Sequence, residues 1–208
     1  MEYTEKAPHT LFSFVLDNSA SVTDDRLGAW ISAFRAFTDE VAGNGALSFE
    51  LILFDALAPT VAKSFDDAAI APVSGGGFPL FAPAVTLACE RLTARARILA
   101  EAGEAVHRPC LFILTDGFSI DETEATARQL DALESAEQLQ YLPFALSAAP
   151  LCERVASFDR IKHIIPIADG GTAGFFAFVK ALLAERATQA AGEPLRLSRN
   201  DFEGWAVL

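Results

Sequence analysis

A chain of 208 residues can hold one sizeable domain and leaves little room for two. Hydrophobic residues make up 51% of it and charged residues 21%, which requires a packed core and excludes global disorder. Sixteen Lys and Arg against twenty-eight Asp and Glu give a net charge of -12, so phosphate backbones and anionic lipid are repelled. Nucleic acid and membrane are thereby poor partners, and cations or basic protein surfaces better ones. The seventeen Phe have no basic residues interleaved with them, so they read as core and not as a stacking platform.

Apolar runs alternate with helical patterns along the chain. Residues 11–16 read as a strand buried on both faces, apart from Ser13. Residues 24–42 read as a helix: Leu27, Trp30, Ile31, Phe34, Phe37 and Val41 recur at helical spacing, Asp24 and Asp25 open it, and Gly43 follows. A strand is expected over 47–54 and a short edge strand over 59–64. A polar loop leads to Gly75-Gly76-Gly77-Phe78-Pro79. Helix is expected over 82–102, strand over 109–115, helix over 122–136 and strand over 139–146. A short helix over 151–158, a strand over 161–167 and a helix over 172–187 follow. Residues 188–208 read as a tail ending in Phe202 and Trp205, which either packs back over the domain, since an exposed Trp is costly, or docks a partner.

This alternation implies an α/β fold: a doubly wound three-layer sandwich with a mostly parallel central sheet and one short antiparallel edge strand. Cys89, Cys110 and Cys152 show no paired spacing and read as small buried hydrophobes in a reducing compartment. His9, His107 and His163 are isolated and read as surface or strand-flanking residues. No secretory signal and no apolar run of membrane-spanning length is visible, so a cytoplasmic monomer is the expectation.

The chemistry concentrates at two strand ends. The first strand runs into Asp17-Asn18-Ser19-Ala20-Ser21, one carboxylate and two hydroxyls on alternating positions. The strand over 109–115 runs into Asp116-Gly117. These are hard oxygen donors, suited to Mg²⁺, Mn²⁺ or Ca²⁺ and not to zinc. In a sheet of order 3-2-1-4-5-6, ligands gather where the order reverses, between the first and fourth strands. Asp17 and Asp116 would flank that crevice. Either motif alone could be a helix cap. Asp55 and Asp121, also at loop mouths, are either neighbours that bind metal waters or capping residues.

Several segments together resemble the von Willebrand factor A (vWA) domain with its metal-ion-dependent adhesion site. They are Phe14-Val-Leu-Asp-Asn-Ser-Ala-Ser21, Leu53-Phe-Asp55, Gly75-Gly-Gly77, Ile113-Leu-Thr-Asp-Gly117 and the Phe-rich helix from Thr172. The resemblance covers about residues 10–187, and within the family it is nearest to the bacterial TerY-like proteins associated with tellurium resistance. It implies Asp17, Ser19, Ser21 and Asp116 as metal-site residues. The family's threonine after the glycines is Phe78 here. Either water takes that place and weakens the site, or Ser74 substitutes, or no metal binds.

The resemblance implies a non-enzymatic protein-interaction module of the cytoplasm, serving a tellurite or stress response or a kinase–phosphatase signalling system. Its Mg²⁺, or Mn²⁺ or Ca²⁺, would be completed by an acidic side chain from a partner such as a Ser/Thr kinase or PP2C-type phosphatase. Two alternatives stand beside it. One is a metal-independent adaptor that docks through the Phe78–Phe81 stretch. The other is a Mg²⁺-dependent phosphoryl-transfer enzyme, against which Ser19 occupies the place where a second acid is needed.

Overall fold

The structure, a computed structural model, describes residues 7–55, 58–117, 119–146, 158, 162–168 and 170–207. Six strands are described: β1 Thr10–Asp17, β2 Leu47–Phe54, β3 Thr60–Lys63, β4 Cys110–Thr115, β5 Gln140–Ala145 and β6 Ile165–Pro166. They form one sheet in the order β3-β2-β1-β4-β5-β6. Every pairing is parallel except β2 with β3. The helices among the described residues are α1 Asp24–Val41, α2 Phe81–Glu101, α3 Glu124–Ser135 and α4 Thr172–Arg186. The expected doubly wound sandwich is therefore present, antiparallel edge strand included. The helix expected over 151–158 falls, apart from Phe158, outside the described residues, as does Cys152.

Side chains alternate across a strand, so β1 feeds both layers. Phe12, Phe14 and Leu16 pack on one face with α1 and α4, while Leu11 and Val15 pack on the other with α2 and α3. The first face is largely aromatic. Phe14 stacks on Phe112 at 4.8 Å and meets Phe34 edge-on at 5.1 Å, and Trp30 meets Phe175 at 5.2 Å. Ser13 breaks the apolar run for a reason. Its hydroxyl donates to buried Glu50 at 2.8 Å, and Glu50 takes Arg91 of α2 at 2.7 Å.

The strand expected over 161–167 contracts to β6. It pairs through two residues only, Ile165 with Phe144 and Pro166 with Ala145. Pro166 has no N–H to extend a ladder, while the Ile167 amide still donates to the Ala145 carbonyl of β5 at 2.8 Å and Ile167 also bridges to Ala206 of the C-terminal segment. His9 and His107 flank β1 and β4 but are buried, a correction to the surface alternative: His9 Nε2 lies 3.0 Å from Ser48 Oγ and His107 Nδ1 lies 3.2 Å from the Ala190 carbonyl. Cys89 and Cys110 are buried free thiols, and burial pushes both up to about 12, so neither is reactive near neutrality.

Residues 188–207 close the α1/α4 face. Leu195, Phe202 and Trp205 are buried in the same cluster as Phe14 and Phe175. Trp205 packs at a tilt against Phe178 at 5.3 Å and Phe144 at 5.9 Å. The Arg186 guanidinium ties the segment down, donating to the carbonyls of Glu193 and Arg108. Gly174 of α4 is what admits the indole: a Cβ there would lie 2.1 Å from Trp205 Cβ. Gly174→Ala should therefore displace Trp205 and cost about 1–3 kcal/mol, as overpacking does. A lowered thermal midpoint with red-shifted tryptophan emission is the expected readout. No helix among the described residues is long and apolar enough to cross a membrane.

Candidate functional site

Because β1 and β4 are parallel neighbours, with Leu16 opposite Leu114, their carboxyl ends leave the sheet side by side. The sheet order reverses between them. Asp17 is the last residue of β1 and its side chain is wholly buried. Its Oδ1 accepts from the Ser19 amide at 3.0 Å and the Ser19 hydroxyl at 2.6 Å. Its Oδ2 accepts from the Thr115 hydroxyl at 3.1 Å. The Ser19 and Ser21 hydroxyls are 3.0 Å apart. The structure thus brings Asp17, Ser19 and Ser21 together. Across from them stands half-buried Asp116, whose charge acts on Asp17.

The electrostatics follow from that geometry. Burial raises the Asp17 carboxyl to about 7, and the negative charge of Asp116 pushes the same way. Hydrogen bonds from Ser19 and Thr115 pull it down and do not compensate. Thr115 is a contributor to which sequence reasoning gave no role. The signal was available: it is the hydroxyl residue immediately before Asp116, on the strand that neighbours β1 across the switch point. Its hydroxyl also accepts the Gly117 amide at 3.1 Å, which fixes it toward Asp17.

The glycine loop lies flat against residues 18–20. Asn18 Nδ2 donates to the Ser74 carbonyl, the Gly76 amide donates to the Asn18 carbonyl, and the Ala20 amide donates to the Gly77 carbonyl, each at 3.0 Å. A side chain at position 75 would stand 3.3 Å from the Asn18 carbonyl and 2.9 Å from Leu27. Gly77 has φ +86°, a left-handed conformation that favours glycine. Ser74 lines, with Leu27, Ile31 and Arg35, a cavity of about 350 Å³ along α1. The expected Phe78–Phe81 docking stretch is narrower than the sequence suggests. Pro79 and Phe81 are buried, Phe81 against Phe54 at 5.6 Å, and Phe78 is 65% exposed.

Asp121 is settled as a capping residue. Its carboxylate accepts the Phe81 amide at 3.1 Å and the Ala82 amide at 2.7 Å, so it caps α2, whose own first turn holds no acid. Asp121→Ala should cost about 0.5–2 kcal/mol, the range for a lost N-cap, measurable by denaturant unfolding. Asp55 is half-buried just past β2, and its carbonyl accepts the Leu80 amide at 3.4 Å.

The donor set suits a hard divalent cation. Among the described residues no three His, Cys, Asp or Glu side chains converge, so an ion here would depend on hydroxyls as much as on carboxylates. Asp17, Ser19, Ser21 and Asp116 supply that mixture, and a cation would turn the repulsion between the two aspartates into attraction. Phe78 offers no oxygen at the loop's end.

No family model matches the chain, and no curated protein matches it. Solved structures do. Proximal thread matrix protein 1 from the mussel byssus superposes with a TM-score of 0.57 at 12% identity, over 83% of this chain and 47% of that one. The chain thus spans about half the length of the mussel protein. The VWA domain of SpRpn10 superposes with a TM-score of 0.55 at 13% identity, over 76% of this chain and 88% of that one. The shared feature is the fold, that of a vWA domain.

Proposed function

We propose that this vWA-fold chain is a protein-interaction module that holds Mg²⁺, or Mn²⁺ or Ca²⁺, between Asp17, Ser19, Ser21 and Asp116 and uses it to capture an acidic side chain of a partner. One observation carries the reading: a wholly buried carboxylate, raised to about 7, ringed by the Ser19 and Thr115 hydroxyls beside a second carboxylate at the sheet's switch point. Two carboxylates and two serines balance a divalent charge, while water or an outside carboxylate completes the shell. Ser19 and Thr115 orient Asp17, and the buried setting strengthens attraction for an incoming anion.

The site is built for holding an ion rather than for attack. Both Asp17 oxygens are engaged by hydroxyl or amide donors, and Ser19 supplies no second acid. A non-enzymatic role in the cytoplasm follows within this proposal. Its setting in a tellurite or stress response, with a Ser/Thr kinase or PP2C-type phosphatase as partner, extends the reading from the TerY-like motifs.

Phe78 favours a second reading, a metal-independent adaptor. Calorimetric titration of the metal-stripped protein with Mg²⁺, Mn²⁺ and Ca²⁺ separates the two. The metal reading expects saturable binding that vanishes in Asp17→Ala and tightens in Phe78→Thr, which restores a hydroxyl. Heat-silent titrations of the native protein with a strong signal only in Phe78→Thr would establish the adaptor.

A further inference from the structure

Four large hydrophobic side chains stand exposed among the described residues: Phe78, Ile98, Ile120 and Val207. Two of these, Phe78 and Ile120, belong to the rim of the metal crevice. The residue before Phe78 is bonded to the metal loop, through the Gly77 carbonyl and the Ala20 amide at 3.0 Å. The residue after it is bonded to the segment following Asp116, through the Pro79 carbonyl and the Ile120 amide at 3.3 Å. Phe78 therefore sits where the two metal-bearing loops are joined.

Its exposure is enforced by its neighbours. Pro79 and Phe81 are already buried, and the glycine loop is tied to residues 18–20 by three backbone-directed hydrogen bonds. The ring cannot turn into the core without breaking them. The backbone that carries the ring is thereby fixed, so little backbone entropy is lost when a partner covers it.

The rim beyond is acidic. Asp24 and Asp25 open α1 and Glu122 leads into α3, all three exposed, while Glu124 is paired with Arg128 at 2.6 Å. With a divalent ion balancing Asp17 and Asp116, that outer ring keeps its negative charge. A complementary partner is basic at its edge, apolar opposite Phe78 and Ile120, and anionic only at the point that reaches the metal.

We propose that Phe78 and Ile120 form an apolar anchor beside the metal, and that its occupant is a basic segment of a partner protein presenting a carboxylate next to a large apolar side chain. This rests on the metal-binding reading above. The substitution that removes a metal hydroxyl would then be the one that adds a contact: energy lost from the ion is regained from a buried ring at the interface.

The test is selection from a random peptide library displayed on phage, against the full-length protein in Mg²⁺. Selected peptides are then measured against the native protein, Phe78→Ala, Ile120→Ser and Asp17→Ala. The proposal expects enriched peptides with net positive charge and an Asp or Glu adjacent to an aromatic or aliphatic residue. Their affinity should fall about tenfold or more in Phe78→Ala, which adds no oxygen at that position, while Mg²⁺ affinity stays unchanged. Chelation and Asp17→Ala should also weaken them. No enrichment, a consensus without the apolar residue, or peptides indifferent to Phe78→Ala would overturn the anchor. Peptides that need Phe78 but bind equally in chelator would instead overturn the metal reading on which it rests.

Discussion

Replacing Phe14 with alanine is expected to lower the unfolding free energy by about 3–5 kcal/mol, the range for a fully buried aromatic cut back to a methyl. Phe14 has no exposed surface and sits at the hub of the aromatic layer. It stacks on Phe112 and meets Phe34, Phe37, Phe49 and Phe175 edge-on, between 4.8 and 6.4 Å. These rings come from β4, α1, β2 and α4, so the cavity would open where the sheet meets its helices. No single neighbour can fill it, because each ring is already held by others. Against a total of about 5–15 kcal/mol for a domain, such a loss should bring unfolding close to physiological temperature. Denaturant unfolding followed by near-ultraviolet circular dichroism measures it. A loss below about 1 kcal/mol would mean that this layer is loosely packed.

The second large effect is a stability that runs against the usual pH trend for an aspartate. In the metal-free protein Asp17 takes up a proton near 7, against 3.8 ordinarily. Between those values the folded state binds more protons than the unfolded state, so this group's contribution is full below about 4 and is lost as pH rises through about 7. The loss is of the order of a few kcal/mol, since each unit of displacement is about 1.4 kcal/mol. Glu50, raised by burial despite Arg91 and Ser13, acts with the same sign, and His107, lowered by burial, acts with the opposite one. Asp17→Asn separates them. Without metal at pH 8 the variant should melt above the native protein, and the gap should narrow as pH falls and close only below about 4. Saturating Mg²⁺ should raise the native midpoint at pH 8 and leave the variant unmoved.

Much of this was legible in the residues because local pattern and tertiary role coincide there. The unbroken run Leu11–Leu16 reads as a strand buried on both faces, which is what the centre of a parallel sheet requires. Once β1 and β4 are placed, their carboxyl ends bring Asp17 and the Thr115-Asp116 pair to one crevice. What stayed hidden depends on partners distant in sequence. Asp121 caps α2, forty residues earlier, and nothing beside it announces that. The Glu50–Arg91 pair crosses from β2 to α2, and a lone Glu in an apolar strand carries no sign of its partner. The buried or exposed fate of Phe78 and Phe81, three positions apart, turned on the hydrogen bonds that pin the glycine loop.

The most direct measurement is diffraction from crystals soaked in Mn²⁺, read by its anomalous signal. The account predicts one strong peak within coordination distance of Ser19 Oγ, Ser21 Oγ and a carboxylate oxygen of Asp17 or Asp116, at about 2.0–2.4 Å. That peak should disappear in Asp17→Ala crystals. A saturated soak with no density there, or a peak only on the outer rim at Asp24, Asp25 or Glu122, would contradict a metal-dependent module and leave a vWA fold that recruits its partner without an ion.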